Sequence, residues 1–262
     1  MDIDVIFCID PRPNDYGEWY QHFLNYKMAF PNVKIIQRVG DLGTHSKPEL
    51  TQLVKATMPH SDFLIFPSEW SKEWIGYEGD NFKIIHNCPV DIFHKNKNES
   101  HSLNDKIKLV THHWSMNPKK GFDIYEKLQK YIDENDKYEF TYIGRKPPEY
   151  NFLNYLPPMA ADEISKELPR HDIYITASIE EAGANHVLEA MAAGLPIVFH
   201  KDGGSIPNYC SEFGLEYSNF LEMIQAIEKM AANYDLYKKK VIEYDKDNSQ
   251  VVESYLKIIS DL

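Results

Sequence analysis

Glu181 and Glu189 are separated by seven residues across a turn of small side chains, Ala182-Gly183-Ala184-Asn185-His186. A helix is expected over 185–193, closed by Gly194. Gly183 and Ala184 carry little or no side chain, so a ligand can approach the backbone closely there. The N–H groups of Ala184, Asn185 and His186 at the helix start, with the positive end of the helix dipole, form an anion site. Val187, Leu188, Met191 and Ala192 make the apolar stripe that docks this helix, which turns Glu189 away from the stripe one turn in. Two carboxylates around an anion site suit a ligand with phosphates in its middle and a hydroxyl-rich sugar at each end, because carboxylates accept hydrogen bonds from sugar hydroxyls. An isolated glutamate pair at this spacing would be solvated helix-end charge, so its surroundings decide the reading.

Those surroundings are β-α units. Apolar runs alternate with amphipathic stretches, the pattern of a parallel sheet covered by helices. Strands are expected over 5–9, 33–38, 63–66 and 82–85, with helices over 17–30, 49–58 and 70–75. Residues 94–106 are polar and almost free of large apolar groups, which marks a linker between domains. Beyond it, strands over 107–111, 138–143, 172–176 and 196–199 alternate with helices over 122–133, 161–168 and 185–193. Three further helices, 219–234, 237–244 and 248–259, end the chain. Arg145 follows the strand that ends at Gly144, at the carboxyl edge of the sheet, where ligands bind in such folds.

The segment from Glu181 through Leu188-Glu189-Ala190-Met191-Ala192-Ala193-Gly194-Leu195-Pro196-Ile197-Val198 resembles the E-x7-E signature of retaining, GT-B-fold glycosyltransferases of family 4. Gly203-Gly204-Ser205-Ile206-Pro207 resembles the family's Gly-Gly-x-Pro loop with one residue more. Lys119-Lys120-Gly121-Phe122 resembles its Lys-Gly-Phe turn. Asp62 to Glu69 and Lys83 to Asp91 resemble the segments that close its N-terminal domain, with Cys88-Pro89 in place of a glycine. The resemblance implies that Glu181 orients the donor sugar, Glu189 binds the ribose of the nucleotide, and Lys120 binds the donor diphosphate. The family places an arginine five residues before that lysine, where this chain has Ser115. Arg145 or a neighbouring histidine would then supply the second cation, while His112, His113 and Trp114 read as packing or turn residues.

The implied architecture is α/β and GT-B-like, with two Rossmann-like parallel-sheet domains. Residues 1–93 would be a truncated N-terminal, acceptor-side domain and 94–106 the linker. Residues 107–247 would bind the nucleotide sugar, and 248–262 would form a helix crossing back to the first domain. The implied activity moves a sugar from a nucleotide diphosphate sugar to an acceptor hydroxyl without cofactor or metal. Asp2-Ile3-Asp4 and Asp245-Lys246-Asp247 match a metal-binding D-x-D only by spacing. A binding or scaffold subunit that needs a partner chain, or a second copy, for the acceptor site is the alternative, and a sugar-nucleotide epimerase of the same fold a weaker one.

The bulk numbers agree with this. The 262 residues carry a net charge of -12, which disfavours nucleic acid as a partner. No apolar run is long enough to span a membrane, and the acidic start lacks the basic residues of a signal peptide. The Asn98-Glu99-Ser100 acceptor triplet is then chance, and three widely spaced cysteines fit the reducing cytoplasm.

Overall fold

Every strand pair among the described residues runs parallel, an arrangement that needs long connections between partners, and helices supply most of them. The computed structural model describes all residues except Met1, Asp2, Glu18, Ser100, His101 and Asn104. One residue of each of the Asp2-Ile3-Asp4 and Asn98-Glu99-Ser100 triplets, and part of segment 94–106, therefore lie outside the described residues. The chain forms two units, Met1–Asn87 with Ser249–Leu262, and Cys88–Asn248.

The first unit holds β1 (Val5–Cys8), α1 (Tyr20–Ala29), β2 (Lys34–Arg38), α2 (Pro48–Thr57), β3 (Phe63–Phe66), α3 (Glu69–Ile75) and β4 (Phe82–Ile84). Its sheet keeps chain order, β1-β2-β3-β4. Ile35, Ile36, Leu64, Ile65 and Phe66 are fully buried, so the central strands read as continuous apolar runs, as strands covered on both faces do. The one buried amide among them, Gln37, is satisfied by Thr57 Oγ1 at 2.9 Å and Ser61 Oγ at 3.0 Å. The closing helix α11 (Asn248–Asp261) contributes Tyr255, whose ring lies 5.1 Å from that of Phe7 and whose hydroxyl accepts from Arg38 Nε at 3.0 Å.

The second unit runs α4 (Ile92–Lys95), β5 (Ile107–His113), α5 (Phe122–Asp133), β6 (Tyr138–Gly144), β7 (Asn154–Leu156), α6 (Ala161–Glu167), β8 (Ile173–Thr176), α7 (Asn185–Ala192), β9 (Ile197–His200), α8 (Ser205–Cys210), β10 (Gly214–Tyr217), α9 (Phe220–Ala232) and α10 (Tyr234–Ile242). The strand order is β10-β9-β8-β5-β6-β7. The chain leaves β5 in one direction and returns to its other side at β8, which opens a crevice at the carboxyl ends of these two strands. Alternate residues serve opposite faces. Leu109, Ile173, Ile175 and Val198 join Phe122, Tyr125 and Leu128 of α5 and Met223 and Ile227 of α9. Val110, Tyr174, Ile197 and Phe199 join Val187, Leu188 and Met191 of α7 and Val241 of α10. No helix among the described residues is long and apolar enough to cross a membrane.

The division between units falls at Asn87, ahead of the polar segment 94–106. The polar side chains there bond to groups of the second unit. Lys97 Nζ donates to the carbonyls of Ile242 and Tyr244, at 3.0 and 2.8 Å, and Asn96 Nδ2 donates to Ser165 Oγ at 2.8 Å. Phe93, just before them, is 1% exposed in the core beneath α7. Four elements have no counterpart among the expected ones: α4, β7, α8 and β10. Strands β7 and β10 are short edge strands ordered by their ladders with β6 and β9. Helix α8 begins inside the expected Gly-Gly loop and takes Pro207 in its first turn, where no amide is needed.

Lys238 of α10 is buried and donates Nζ to the carbonyl of Gly194 at 2.7 Å, closing the end of α7. Burial pushes its ammonium down from 10.5 to about 8, with Asp172 opposing and Lys97 adding to the shift. The unfolded chain then binds this proton more tightly than the folded one between those values, so folded stability rises with pH across that window. The stability difference between the wild type and Lys238→Met is expected to be constant below pH 8. It should then move in favour of the wild type between pH 8 and 10.5. Urea denaturation at a series of pH values measures it, and a flat difference across the window would refute the assignment.

Candidate active site

Three backbone segments meet at the carboxyl ends of β5, β8 and β9. Asn117 Oδ1 accepts from Lys119 N at 3.0 Å and starts the single turn Pro118–Lys120. Gly121 follows at φ 82°, where a Cβ would fall on the Cβ of Ala177 and within 2.7 Å of its carbonyl oxygen. Only glycine permits that approach. Ile179 N donates to Lys119 O at 3.0 Å, and Glu180 N to Asp202 O at 2.9 Å. Glu181 is gripped on both sides, its N–H donating to Gly203 O at 3.3 Å and its carbonyl accepting from Ser205 N at 2.7 Å. Gly204 has φ 71°, and a Cβ there would fall on Glu181 O and within 2.6 Å of Glu181 N. Ser205 Oγ accepts from Ala184 N at 3.0 Å and ties the start of α7 to the same loop.

That seam sets lysines against glutamates. Lys119 pairs with Glu180, which adopts a left-handed φ of 54°, and Lys120 pairs with Glu181. The Lys120 and Glu181 side chains are 11% and 12% exposed, so this pair is largely withdrawn from water. A withdrawn pair is held less by its own attraction than by the cost of leaving either charge alone.

Glu189 lies on the wall of a cavity of about 310 Å³ within the second unit, lined also by His112, Trp114, Ile143, Met159 and Ile164. Glu189 Oε2 is 2.7 Å from His112 Nε2. His112 Nδ1 is 3.1 Å from the hydroxyl of Tyr174, which also accepts from His112 N at 3.1 Å. On the neighbouring strand position, His113 Nε2 is 2.8 Å from the Tyr125 hydroxyl, which accepts from Ala177 N at 2.9 Å. Burial pushes the Tyr125 hydroxyl up to about 12, and burial holds Tyr174 well above 10, with nearby Tyr125 and Glu189 adding. Both stay protonated and able to donate.

Residues 109–233 match the model for glycosyl transferases group 1. The match runs from β5 to the end of α9 and so covers most of the second unit. No curated protein sequence matches the chain. Among solved structures, Anabaena HepE in complex with UDP and glucose is 14% identical, with TM-score 0.72 over 99% of this chain and 78% of that one. Sucrose-phosphate synthase from Thermosynechococcus elongatus is 13% identical, with TM-score 0.66 over 92% of this chain and 67% of that one. The pneumococcal O-GlcNAc transferase GtfA in complex with UDP and GlcNAc is 12% identical, with TM-score 0.66 over 93% of this chain and 55% of that one. These likenesses establish the two-unit, parallel-sheet GT-B fold, and the domain match supports a nucleotide-sugar-dependent glycosyltransferase.

Within the second unit the expected residues separate into groups. Lys120 and Glu181 touch, and Glu189 faces the cavity. At the start of α7, Gly183 is half-buried, Ala184 buried and Asn185 exposed. The imidazole of His186 turns inward, with Nε2 3.0 Å from Thr176 Oγ1 and its ring 5.0 Å from that of His113. Ser115 Oγ accepts from Asn117 N at 3.2 Å and shapes the turn before Lys120. Arg145 lies with its guanidinium 4.2 Å from the ring centre of Trp114, which is 65% exposed. His112, expected as a packing or turn residue, contacts Glu189 directly. The available signal was a run of polar and aromatic residues, Thr111 to Trp114, where a buried apolar strand ends.

Because Lys120 and Glu181 are withdrawn together, Lys120→Met should destabilise the fold by about 1–3 kcal/mol, since it removes the cation that pairs with a largely buried carboxylate. Adding Glu181→Gln should recover part of that loss. Denaturation midpoints of the two single variants and the double variant test the coupling, and strictly additive losses would show that the pair contributes nothing to stability.

Proposed function

We propose that the chain transfers a sugar from a nucleotide diphosphate sugar to an acceptor hydroxyl with retention at the anomeric carbon and without a metal. The observation that carries this is the contact of Lys120 with Glu181 at the crevice between β5 and β8, in a unit that matches glycosyl transferases group 1. Glu189, on the cavity wall, accepts hydrogen bonds from the ribose diol. Glu181 holds the transferred sugar. The bond from the anomeric carbon to the phosphate oxygen breaks with its electron pair leaving on the diphosphate. The acceptor oxygen bonds to that carbon on the same face, and its proton passes to the departing phosphate. Lys120 and the start of α7 receive the growing negative charge, the role a metal ion would otherwise fill. Arg145 is the second cation in place of the charge that Ser115 lacks. The three cysteines are free, two of them buried, which fits a reducing, cytoplasmic setting.

Thermal shift against nucleoside diphosphates and their sugars tests donor binding, since a true donor stabilises the folded state by mass action. UDP comes first because HepE and GtfA were solved with it. Glu189→Ala should weaken free UDP and UDP-sugar alike, and Glu181→Ala the UDP-sugar selectively, each by roughly 1.5–3 kcal/mol. Equal losses for both variants with both ligands would show the two roles wrongly assigned. Lys120→Met should lower turnover more than donor affinity, because its contact strengthens as charge develops, and should exceed Lys119→Met. Arg145→Ala should give a smaller loss. Unchanged turnover in Lys120→Met would remove the diphosphate from this place, and donor binding without transfer would favour a scaffold subunit.

A further inference from the structure

Glu189 is 26% exposed on a helix face, and a carboxylate there has several rotamers open to it. One contact selects among them. Oε2 meets His112 Nε2 at 2.7 Å, while Oε1 has no hydrogen-bond partner among the described residues. The histidine is itself fixed, with a side chain 6% exposed at the carboxyl end of β5. A carboxylate oxygen only accepts, so Nε2 carries the proton that Glu189 receives. Nδ1 of that tautomer is an acceptor, and it lies 3.1 Å from the Tyr174 hydroxyl, which accepts from His112 N at 3.1 Å and has its own proton to share between Nδ1 and His112 O.

We propose that His112 is a positioning residue for Glu189. The Tyr174 hydroxyl meets its Nδ1, its Nε2–H holds one carboxylate oxygen, and the other oxygen is left aimed into the cavity for the ribose diol. This rests on the reading of Glu189 as the ribose contact. The recognition element is then a chain of three side chains from three elements, β8, β5 and α7. Neither of the two bonds within that chain, Tyr174 to His112 and His112 to Glu189, is made to the ligand.

Calorimetric titration with UDP and with 2′,3′-dideoxy-UDP tests it, since only the first carries the diol. Wild type should bind UDP more tightly than the dideoxy analogue. His112→Leu should weaken UDP by about tenfold or more while changing the dideoxy analogue less than about threefold. His112→Gln, whose amide nitrogen reaches near the Nε2 position, should retain most UDP affinity. Tyr174→Phe should weaken UDP by about threefold and spare the analogue. Equal losses for UDP and the analogue in these variants would make His112 merely structural and overturn the proposal, while leaving the nucleotide site standing. If wild type binds neither UDP nor GDP, ADP, CDP or TDP, the nucleotide reading itself fails, and the proposal with it. If His112→Leu does not fold, the same diol-dependent comparison is made with His112→Gln and Tyr174→Phe, and a loss in Tyr174→Phe that ignores the diol overturns the proposal.

Discussion

The second unit depends on a close backbone approach that only glycine permits. At Gly121 and Gly204 a side chain would collide with the backbone of Ala177 and Glu181. Both glycines also have positive φ, so their conformation and their lack of bulk are required together. The approach lets three loops, from the carboxyl ends of β5, β8 and β9, exchange main-chain hydrogen bonds as if the sheet continued past its strands. Glu181 and Gly204 form an isolated parallel bridge there. Side chains borne on such a seam inherit the rigidity of a sheet, although they stand on loops. That explains how Lys120 and Glu181, 61 residues apart in the chain, meet with little solvent around them.

Beneath the seam lies a layer of buried aromatic hydroxyls. Tyr125 and Tyr174 come from opposite faces of the sheet and end at the same strand termini, Tyr125 on His113 and Ala177, Tyr174 on His112. A buried hydroxyl without a partner costs about 1–3 kcal/mol, so these contacts are needed for stability alone. They also decide where the imidazoles point. The layer therefore joins core to site, because satisfying polar atoms at the ends of β5 and β8 fixes the groups that face the cavity.

How much of this could be read from the residues varies by element. The core helices and strands were legible because burial on both faces writes long apolar runs, and α5 was expected over the same residues that it occupies, Phe122–Asp133. The strands at the sheet edges were not. Asn154–Leu156 is three residues long with no alternation of its own, and β6 alone gives it order. The polar stretch 94–106 was misleading in a different way. Composition identifies residues that do not seek the core, yet Lys97 is spent on carbonyls at the end of α10 and Asn96 on the hydroxyl of Ser165 in α6. Of the candidate site, Glu181, Glu189 and Lys120 stood out through their motif and spacing. His112 was hidden because its contacts are with partners 62 and 77 residues away, Tyr174 and Glu189, and nothing local distinguishes it from packing.

The ion pair between Lys120 and Glu181 has a consequence for how the proposed donor would enter. Both groups already hold a partner of opposite charge in a place with little water, so neither pays the cost of standing alone there. A diphosphate reaching Lys120 replaces one anion by another of greater charge, and the Glu181 carboxylate released from the lysine faces hydroxyl donors on the adjoining sugar. The exchange conserves hydrogen bonds on both sides. The exchange would pass each group from one partner to another without moving the backbone, because the glycine seam already holds the two charges within reach of each other.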